Sequence, residues 1–386
     1  MGTLPNEVST LYMLDRLELF SNNVSGTFPD GLQNITQLQV LDVELNQISG
    51  MAFNPVILSL SNLRQLFISS NLLTGRIPSN IFDTVFPFLT DLWIANNEIM
   101  GPLPTTFGAI PKLRTFIAYG NQIDGEIPAS IGNITDLTNL QLYRNMFDKT
   151  IPTQVYSLSQ LSVLRLDQNF LTGTIDANIG QLNQLTDLRV SNNFIEGTIP
   201  ETIQQLRNLS YLVISNNLFS GSIPDMFTGF DALQDFDVSA AFFTGPLPST
   251  LFANIAIQNI YVSNNAFTGT IPSNYSNPIG LLDLYLDNNL LNGTVPTIAT
   301  GDFLLLNELL LQNNELTGSV PPTICALRNV SLENLFSDCG GATPEVTCIF
   351  PICCNRCFAG GQVTDQRRTR REKQQRVVTI TGDQQG

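Results

Sequence analysis

The sequence predicts a solenoid, a fold in which one short structural unit is stacked many times. The first observation is a repeat of about 24 residues with the pattern L-x-x-L-x-L-x-x-N-x-L-x-G-x-I-P, as between Leu185 and Pro200. The second is its Asn, which recurs in twelve of thirteen repeats, Ala241 standing in the other. Repeats of this length cannot bury a core alone, so stacking is what makes them stable.

The L-x-L part of each repeat predicts a β-strand, because apolar residues alternate with others at the period of a strand. The leucines then point into the core, and the residues between them form the open face of a parallel sheet. The Asn that follows carries donors and an acceptor, so we expect it to satisfy the backbone of the turn that leaves each strand.

The second half of the repeat predicts turns. Gly holds its position in twelve of thirteen repeats, Lys149 being the exception, and it supplies turn conformations closed to other residues. The segment after Pro, such as 201–209, has apolar residues at helical spacing and predicts short 3-10 or α turns. The fold class is therefore an α/β solenoid of about 13 repeats, with a parallel concave sheet and a convex side of short turns.

Composition excludes several kinds of function. The net charge is −15, which disfavours nucleic acid as a partner, because binding phosphates requires clustered Lys and Arg. Histidine is absent, so this chain has no imidazole for acid–base catalysis or metal binding. We predict no catalytic residue, no cofactor and no metal site. No apolar run is long enough to cross a membrane, which takes about 18 residues or more.

The G-x-I-P half of the repeat resembles the plant-type class of leucine-rich repeats, as found in receptor-kinase ectodomains and polygalacturonase-inhibiting proteins. The resemblance covers roughly residues 1–335. It implies a right-handed superhelix with a second short sheet beside the main one. Residues 2–8 match the second half of a repeat, so we expect the chain to begin inside one.

We expect three segments: residues 1–324 as the solenoid, 325–358 as a Cys-rich C-terminal cap, and 359–386 as a disordered basic tail. All six cysteines lie in the second segment, and we expect three disulfides that cover the last open core. The sequence leaves fifteen pairings open. A zinc site through Cys354-x-x-Cys357 is the alternative. The cysteines are Cys325, Cys339, Cys348, Cys353, Cys354 and Cys357; their spacing resembles the cap of secreted algal leucine-rich-repeat proteins.

The disulfides would require an oxidising compartment, so we expect an extracellular or cell-surface location. No signal peptide is visible at the N-terminus. The basic residues near 367–376 also allow a nuclear-localisation hypothesis, which conflicts with a disulfide cap. Glycosylation sequons occur no more often than chance predicts; they are at Asn23, Asn34, Asn133, Asn208, Asn274, Asn292 and Asn329.

The open face of the sheet is where we expect a ligand. Its residues include the chain's only Trp, Trp93, and contiguous apolar and aromatic neighbours in adjacent repeats, a composition typical of binding hot spots. The alternative is that these aromatic residues stabilise the sheet through cross-strand pairs and bind no ligand. Two arginines in adjacent repeats either hold a carboxylate or pair with Asp167 and Asp187. The predicted binding residues are Phe67, Trp93, Ile117, Tyr119, Tyr143, Arg165, Arg189, Tyr261 and Tyr285.

The sequence thus predicts a non-enzymatic module that binds a protein, peptide or cell-wall glycan on its concave face. Acids outnumber bases on that face, eleven to three, which favours a basic or neutral partner. One alternative is a structural or ice-binding solenoid, using a Thr column that includes Thr150, Thr174 and Thr198. Another is the ectodomain of a receptor kinase whose kinase half is absent, since no G-x-G-x-x-G, H-R-D or D-F-G motif occurs here. The oligomeric state is not predicted.

Overall fold

The structure is a computed structural model that describes residues 2–79, 85–110, 112–273, 280–299, 302–340, 346–348, 353–354 and 356–359. Two compact units can be distinguished. The first comprises Met1–Leu218 and Thr228–Leu233, and the second comprises Phe219–Phe227 and Gln234–Gly386. The tail predicted to be disordered falls almost wholly outside the described residues.

Strands are two to seven residues long and contribute in turn to a main and a flanking sheet. Up to Val213 they are β1 Gly2–Thr3, β2 Arg16–Glu18, β3 Val24–Gly26, β4 Val40–Asp42, β5 Gln47–Met51, β6 Gln65–Phe67, β7 Leu72–Gly75, β8 Asp91–Trp93, β9 Glu98–Pro102, β10 Thr115–Ile117, β11 Gln122–Gly125, β12 Asn139–Gln141, β13 Met146–Phe147, β14 Val163–Arg165, β15 Asp187–Arg189, β16 Glu196–Gly197 and β17 Tyr211–Val213. The later strands are β18 Leu218–Gly221, β19 Asp235–Asp237, β20 Phe242–Pro246, β21 Asn259–Tyr261, β22 Ala266–Thr270, β23 Asp283–Tyr285, β24 Leu290–Thr294, β25 Glu308–Leu310, β26 Glu315–Ser319, β27 Asn334–Gly340, β28 Val346–Thr347 and β29 Arg356–Ala359.

The main sheet is parallel, as the L-x-L pattern predicts. In the first unit β2, β4, β6, β8, β10, β12, β14, β15 and β17 pair in that order. In the second unit the order is β19, β21, β23, β25, β27 and β29. The register keeps equivalent residues side by side, so that Phe67 pairs with Trp93 and Trp93 with Ile117. A side chain on this sheet therefore has its repeat equivalents as lateral neighbours.

The flanking sheet that the resemblance implies is also present. It pairs β1, β3, β5, β7, β9, β11 and β13 in the first unit. In the second unit β18, β20, β22, β24, β26 and β28 pair in the same way. Short 3-10 turns follow, at Asn6–Thr10, Asp30–Asn34, Phe107–Ala109, Ala129–Asn133, Thr153–Ser157, Ala177–Gln181, Glu201–Gln205, Phe227–Gly229 and Leu327–Asn329. These elements confirm the predicted leucine-rich-repeat solenoid.

Two short α-helices occur in addition to the 3-10 turns. The second repeat is one residue longer than the others, and there Pro55–Leu58 forms helix α1. Asn54 caps it by accepting a hydrogen bond from the amide of Ile57. Helix α2, Pro322–Ala326, contains Cys325. Two other repeats contain extra residues, near 82–88 and near 300, and these residues fall largely outside the described part of the chain.

The core is formed by the inward residues of the strands and turns. Leu66, Leu92 and Phe116 are fully buried at the centre of three adjacent strands. The Asn residues that recur once per repeat form a column, the Asn ladder, and from Asn46 onward each of them joins two repeats. Asn121 donates from Nδ2 to the carbonyls of Ala118 and, in the preceding repeat, Ile94, while its Oδ1 accepts from the amide of Ile99. The predicted pairing with the turn is confirmed, and the link to the preceding repeat is an addition.

The residue just before each ladder position adopts the left-handed conformation. Its φ lies between 50° and 59° at the twelve non-Gly positions from Ser21 to Asn313, and Gly120 takes the same role in the remaining repeat. Only Gly, Asn and Asp enter this region readily. Leu45 and Ala240 therefore hold a costly conformation that the stacked ladder imposes on them.

The Gly of the repeat has a packing reason as well as a conformational one. Gly173 has a φ of +76°, and a Cβ at this position would lie 2.7 Å from Cγ2 of Thr150 in the preceding repeat. The methyl groups of the Thr column thus pack over the glycines of the next repeat. This packing gives the Thr column a structural role that does not depend on ice binding.

The cysteine segment extends the main sheet. β27 pairs with β25 and β29 pairs with β27, so two further strands lie beyond the last ladder Asn. Disulfides join Cys325 to Cys353 and Cys348 to Cys354, and Cys339 is also disulfide-bonded. The side chain of Cys357 lies outside the described residues. Pairings that the sequence left open are thereby fixed for four of the six cysteines.

Candidate functional site

We use "sheet face" for the outward surface of the main sheet within each unit. It is formed by the first and third residue of every strand and the second residue after it. In the first unit the third position holds Phe67, Trp93, Ile117, Gln141, Arg165 and Arg189 in successive strands. All six are half-buried, because their lateral neighbours cover their sides.

Trp93 is held in place by polar neighbours on the first column of the sheet face. Its Nε1 donates to Oγ1 of Thr115 at 2.8 Å, and this hydroxyl donates to Oδ1 of Asp91 at 2.7 Å. The other carboxylate oxygen of Asp91 accepts from Thr90 and Gln65. The indole orientation is therefore fixed by a hydrogen-bonded chain before any ligand arrives.

The aromatic patch comprises Phe67, Trp93, Ile117, Tyr119 and Tyr143. The Phe67 and Trp93 rings lie with centroids 4.6 Å apart, and the Tyr119 and Tyr143 rings stack at 4.2 Å and 8°. The prediction that Trp93 points outward, between buried Leu92 and Ile94, is confirmed. The ring is half-buried, since Phe67 and Thr115 cover part of it. Burial and the adjacent Tyr119 raise the pKa of Tyr143 to about 12, so its hydroxyl is neutral near pH 7.

Arg165 and Arg189 share one carboxylate. Nε of Arg165 lies 2.8 Å from Oδ2 of Asp187, and Nε of Arg189 lies 2.9 Å from its Oδ1. The guanidinium of Arg189 also lies over the ring of Tyr211, 4.7 Å from its centroid. The predicted pairing with Asp187 is confirmed. Asp167 instead accepts from the amide and hydroxyl of Ser191, and burial raises its pKa.

Tyr261 and Tyr285 form a separate group on the sheet face of the second unit. Their rings meet edge to face at 4.7 Å. Tyr261 donates its hydroxyl proton to Asp283 at 2.9 Å, and Tyr285 donates to Glu308. Burial raises the pKa of Asp283, and the nearby Glu308 and Asp235 carboxylates raise it further. These tyrosines therefore belong to an acidic, hydrogen-bonded surface.

Glycosylation sequons lie away from the sheet face wherever the structure describes them. Asn34, Asn133 and Asn329 end 3-10 turns, and Asn208 follows one; all four are exposed. Asn23 and Asn292, at the flanking sheet, are exposed too. Asn274 lies outside the described residues. Glycans at the six described sites would leave the sheet face open.

The zinc alternative meets a chemical obstacle in the cap. The sulfurs of Cys339, Cys348 and Cys354 lie within 4.8 Å of one another. Cys348 and Cys354 are bonded to each other, however, and Cys339 is in a disulfide. Zinc binds the thiolate, so these sulfurs do not fit a metal while they are oxidised.

Sequence reasoning missed the polar residues that orient the patch. Gln65, Asp91 and Thr115 occupy the first column of adjacent strands, and their only signal was a polar residue at the same repeat position. It also missed Arg64, Phe88 and Lys112 at the edge of the main sheet, where Phe88 lies near both cations. Lateral contacts between repeats, 22 to 26 residues apart, are what bring these groups together.

Comparison with known proteins agrees with this architecture. The family model "Leucine rich repeat" matches residues 183–240, and a second one matches 62–83 and 305–327. Receptor-like protein 35 of Arabidopsis thaliana is 34% identical over 117 residues, which are 30% of this chain and 12% of that protein. Receptor-like protein 31 of the same plant is 36% identical over 107 residues, 27% of this chain and 12% of that protein.

Solved structures with the same fold cover most of the chain. The plant peptide hormone receptor RGFR1 in complex with RGF2 matches with a TM-score of 0.80 at 30% identity, over 90% of this chain and 58% of that one. The ectodomain of the Arabidopsis receptor kinase HAESA, bound to an IDA peptide hormone, matches with a TM-score of 0.81 at 28% identity, over 90% and 63%.

The chain spans less than two thirds of the length of each of these proteins. Among the described residues, no helix has the length and apolar character needed to cross a bilayer. The repeat pattern, the two parallel sheets, the Asn ladder and these similarities agree with one another. The chain has the leucine-rich-repeat fold and is similar to plant receptor proteins of this class.

Proposed function

We propose that this chain is a non-enzymatic recognition module that binds a peptide or protein segment on the sheet face of its first unit. The observation that carries the proposal is the aromatic patch of Phe67, Trp93, Ile117, Tyr119 and Tyr143. Two ring pairs, Phe67–Trp93 and Tyr119–Tyr143, lie on either side of Ile117 across four strands, and the single indole is oriented in advance. Pre-ordered aromatic side chains lose little entropy on binding, so they favour tight association.

Polar groups beside the patch suit a peptide backbone as the ligand. Asn139 and Gln141 lie beside Thr115 and Ile117 on the neighbouring strand. The Arg165 and Arg189 guanidinium groups follow in the next strands. Two guanidinium groups share the Asp187 carboxylate there. The similar structures RGFR1 and HAESA are receptors in complex with peptide hormones, which supports a peptide before a glycan.

An extracellular or cell-surface location is part of the same proposal. The two disulfides Cys325–Cys353 and Cys348–Cys354 support it, because such bonds persist in oxidising compartments. The similarity to receptor-like proteins supports it as well. The six described sequons are exposed and accessible to glycosylation there.

Peptide and glycan arrays probed with the full chain test this proposal. For any peptide retained, Trp93→Ala and Tyr143→Ala should each weaken binding at least tenfold, because loss of a central aromatic anchor costs about 2 kcal/mol or more. Tyr12→Ala is the matched control, since Tyr12 is 63% exposed and lies outside the sheet face. Binding that is unchanged in both patch variants, or retention of glycans alone, would overturn the proposal.

A further inference from the structure

Phe88 lies between two cations at the edge of the main sheet. Its side chain is 39% exposed. The guanidinium carbon of Arg64 is 5.7 Å from the ring centroid, and Nζ of Lys112 is 5.4 Å from it. The three residues come from three successive repeats, and the electron-rich ring attracts both cations. The ring therefore holds two like charges near each other on an exposed surface.

These cations are not neutralised within the described part of the chain. None of Arg64, Lys112 and the neighbouring Arg114 takes part in an ion pair there, whereas five other basic residues do, namely Arg16, Lys149, Arg165, Arg189 and Arg207. Arg64 donates from Nε to Gln39 at 3.1 Å, which leaves its two terminal amino groups for another acceptor. Such a cluster stands out in a chain whose net charge is −15.

The cluster adjoins the aromatic patch. Arg64, Thr90 and Arg114 immediately precede β6, β8 and β10, and their backbones are joined, since the Thr90 amide donates to Arg64 and the Arg114 amide donates to Thr90, both at 2.7 Å. The strands that follow carry Phe67 and Trp93. A ligand lying on the patch can thus reach the cations at the start of the same strands.

We propose that Arg64 and Lys112 around Phe88, together with Arg114 just before β10, form an anion-binding subsite that takes the carboxylate of an acidic residue in the peptide ligand. A guanidinium matches a carboxylate with two parallel hydrogen bonds, and the ammonium of Lys112 adds a second charge. The identity of the wider ligand rests on the proposed function. Binding at the subsite can be measured separately from binding at the aromatic patch, because the subsite recognises a charged group.

Acetylated hexaglutamate is the probe, with hexaglutamine as its neutral counterpart. All proteins are full-length chains in which the basic residues at 367–376 are replaced by Gln, so that the tail does not bind the probe. Calorimetry at about 20 mM salt should detect hexaglutamate but not hexaglutamine, with weakening at 150 mM, because salt screens exposed charges over about 8 Å at that ionic strength. Arg64→Gln combined with Lys112→Gln should weaken binding at least tenfold.

The matched control combines Lys149→Gln with Arg207→Gln, which changes the net charge equally but removes cations already paired with Asp148 and Asp231. Binding equally weakened in both double variants, or unchanged in the first, would overturn the subsite. A hexamer of a uronic-acid sugar that binds while hexaglutamate does not would overturn the peptide assignment. Trp93→Ala should change hexaglutamate affinity less than threefold, so failure of the aromatic site and failure of this subsite remain distinguishable.

Discussion

The indole N–H of Trp93 donates a hydrogen bond to the hydroxyl of Thr115, 2.8 Å away on the next strand of the main sheet. The same hydroxyl donates to Asp91, so Thr115 both accepts and donates within this series of hydrogen bonds. Trp93, which the sequence predicts as a binding residue, is therefore part of a hydrogen-bonded network between adjacent strands. Its contribution to stability and its contribution to binding are therefore coupled.

Thr115→Val should release the indole while keeping the shape of the side chain. We expect a loss of about 1 kcal/mol in the free energy of unfolding, the typical net value of a hydrogen bond. Because Trp93 is the only Trp, steady-state fluorescence anisotropy reports its motion, and the anisotropy should fall. Thr115→Ser keeps the hydroxyl and should behave as the wild type. Equal anisotropy in the Val and Ser variants would show that packing on Phe67 alone holds the ring.

Trp93→Ala should lower the free energy of unfolding by about 1–2 kcal/mol, because it removes the ring contact with Phe67 as well as the hydrogen bond. Urea unfolding of Trp93→Ala and Trp93→Phe measures it, since the Phe variant keeps a ring against Phe67. A Phe variant as unstable as the Ala variant would contradict the role of ring packing.

Ala241→Asn should repair the Asn ladder. At the next ladder position Asn265 donates to the carbonyls of Val238 and Val262 and accepts from the amide of Phe243. The methyl group of Ala241 cannot make such bonds, and a buried group left without a partner costs about 1–3 kcal/mol.

We expect Ala241→Asn to raise stability by about 1 kcal/mol and Asn265→Ala to lower it by at least as much. Hydrogen exchange is the measurement, and amides between 237 and 244 should exchange faster in the wild type than in the Asn variant. Wild-type protection there equal to that of the 259–268 segment would rule out a weak position at Ala241.

Stability should increase when the pH is lowered from neutral towards about 4. Burial raises the pKa of Asp167, Asp283 and Asp287 above their ordinary value of 3.8. Such a carboxyl holds its proton more tightly in the folded state, so its stabilising effect is present at low pH and is lost as the pH rises through the folded pKa. The melting temperature between pH 7 and 4.5 measures this effect.

Two Asn variants separate the contributions to this pH dependence. Asp283→Asn should raise the melting temperature at pH 7 and flatten its pH dependence. Asp225→Asn should lower the melting temperature at pH 7. Hydrogen bonds from Thr250 and Ser249 depress the pKa of Asp225, so its stabilising effect is present at neutral pH and is lost only at more acid pH. A wild-type melting temperature that is flat or falls on acidification would contradict the assignment.

Reduction of the cap should loosen the last repeats before the rest of the chain. Cys325 and Cys353 are 28 residues apart in sequence, and Cys348 and Cys354 are 6 apart. A bond that closes the longer loop constrains the unfolded chain more, so replacing both members of the first pair by Ser should cost more, within the typical range of about 2–5 kcal/mol. Thiol titration of the unfolded, unreduced protein should find no free thiol from these four cysteines. Free thiols from either pair would contradict the predicted disulfide-bonded cap.

The sequence by itself determined the repeat, the parallel main sheet, the inward leucines and the role of the ladder Asn. Each of these features follows from a local pattern with a fixed period, so the amino-acid sequence alone is enough to predict it. The same rule placed Trp93 on the outward face between buried Leu92 and Ile94. It also placed Arg165 and Arg189 beside Asp187, as adjacent repeats require.

Only the tertiary structure decided the other side-chain contacts across repeats. The burial of Trp93 depends on Phe67 and Thr115, and the cationic cluster depends on Phe88 standing between Arg64 and Lys112. Rotamers and contacts between residues more than 20 positions apart are set by packing of neighbouring strands and not by local periodicity. The disulfide partners of Cys325 and Cys348 were decided in the same way, by which cysteines the folded cap brings within bonding distance.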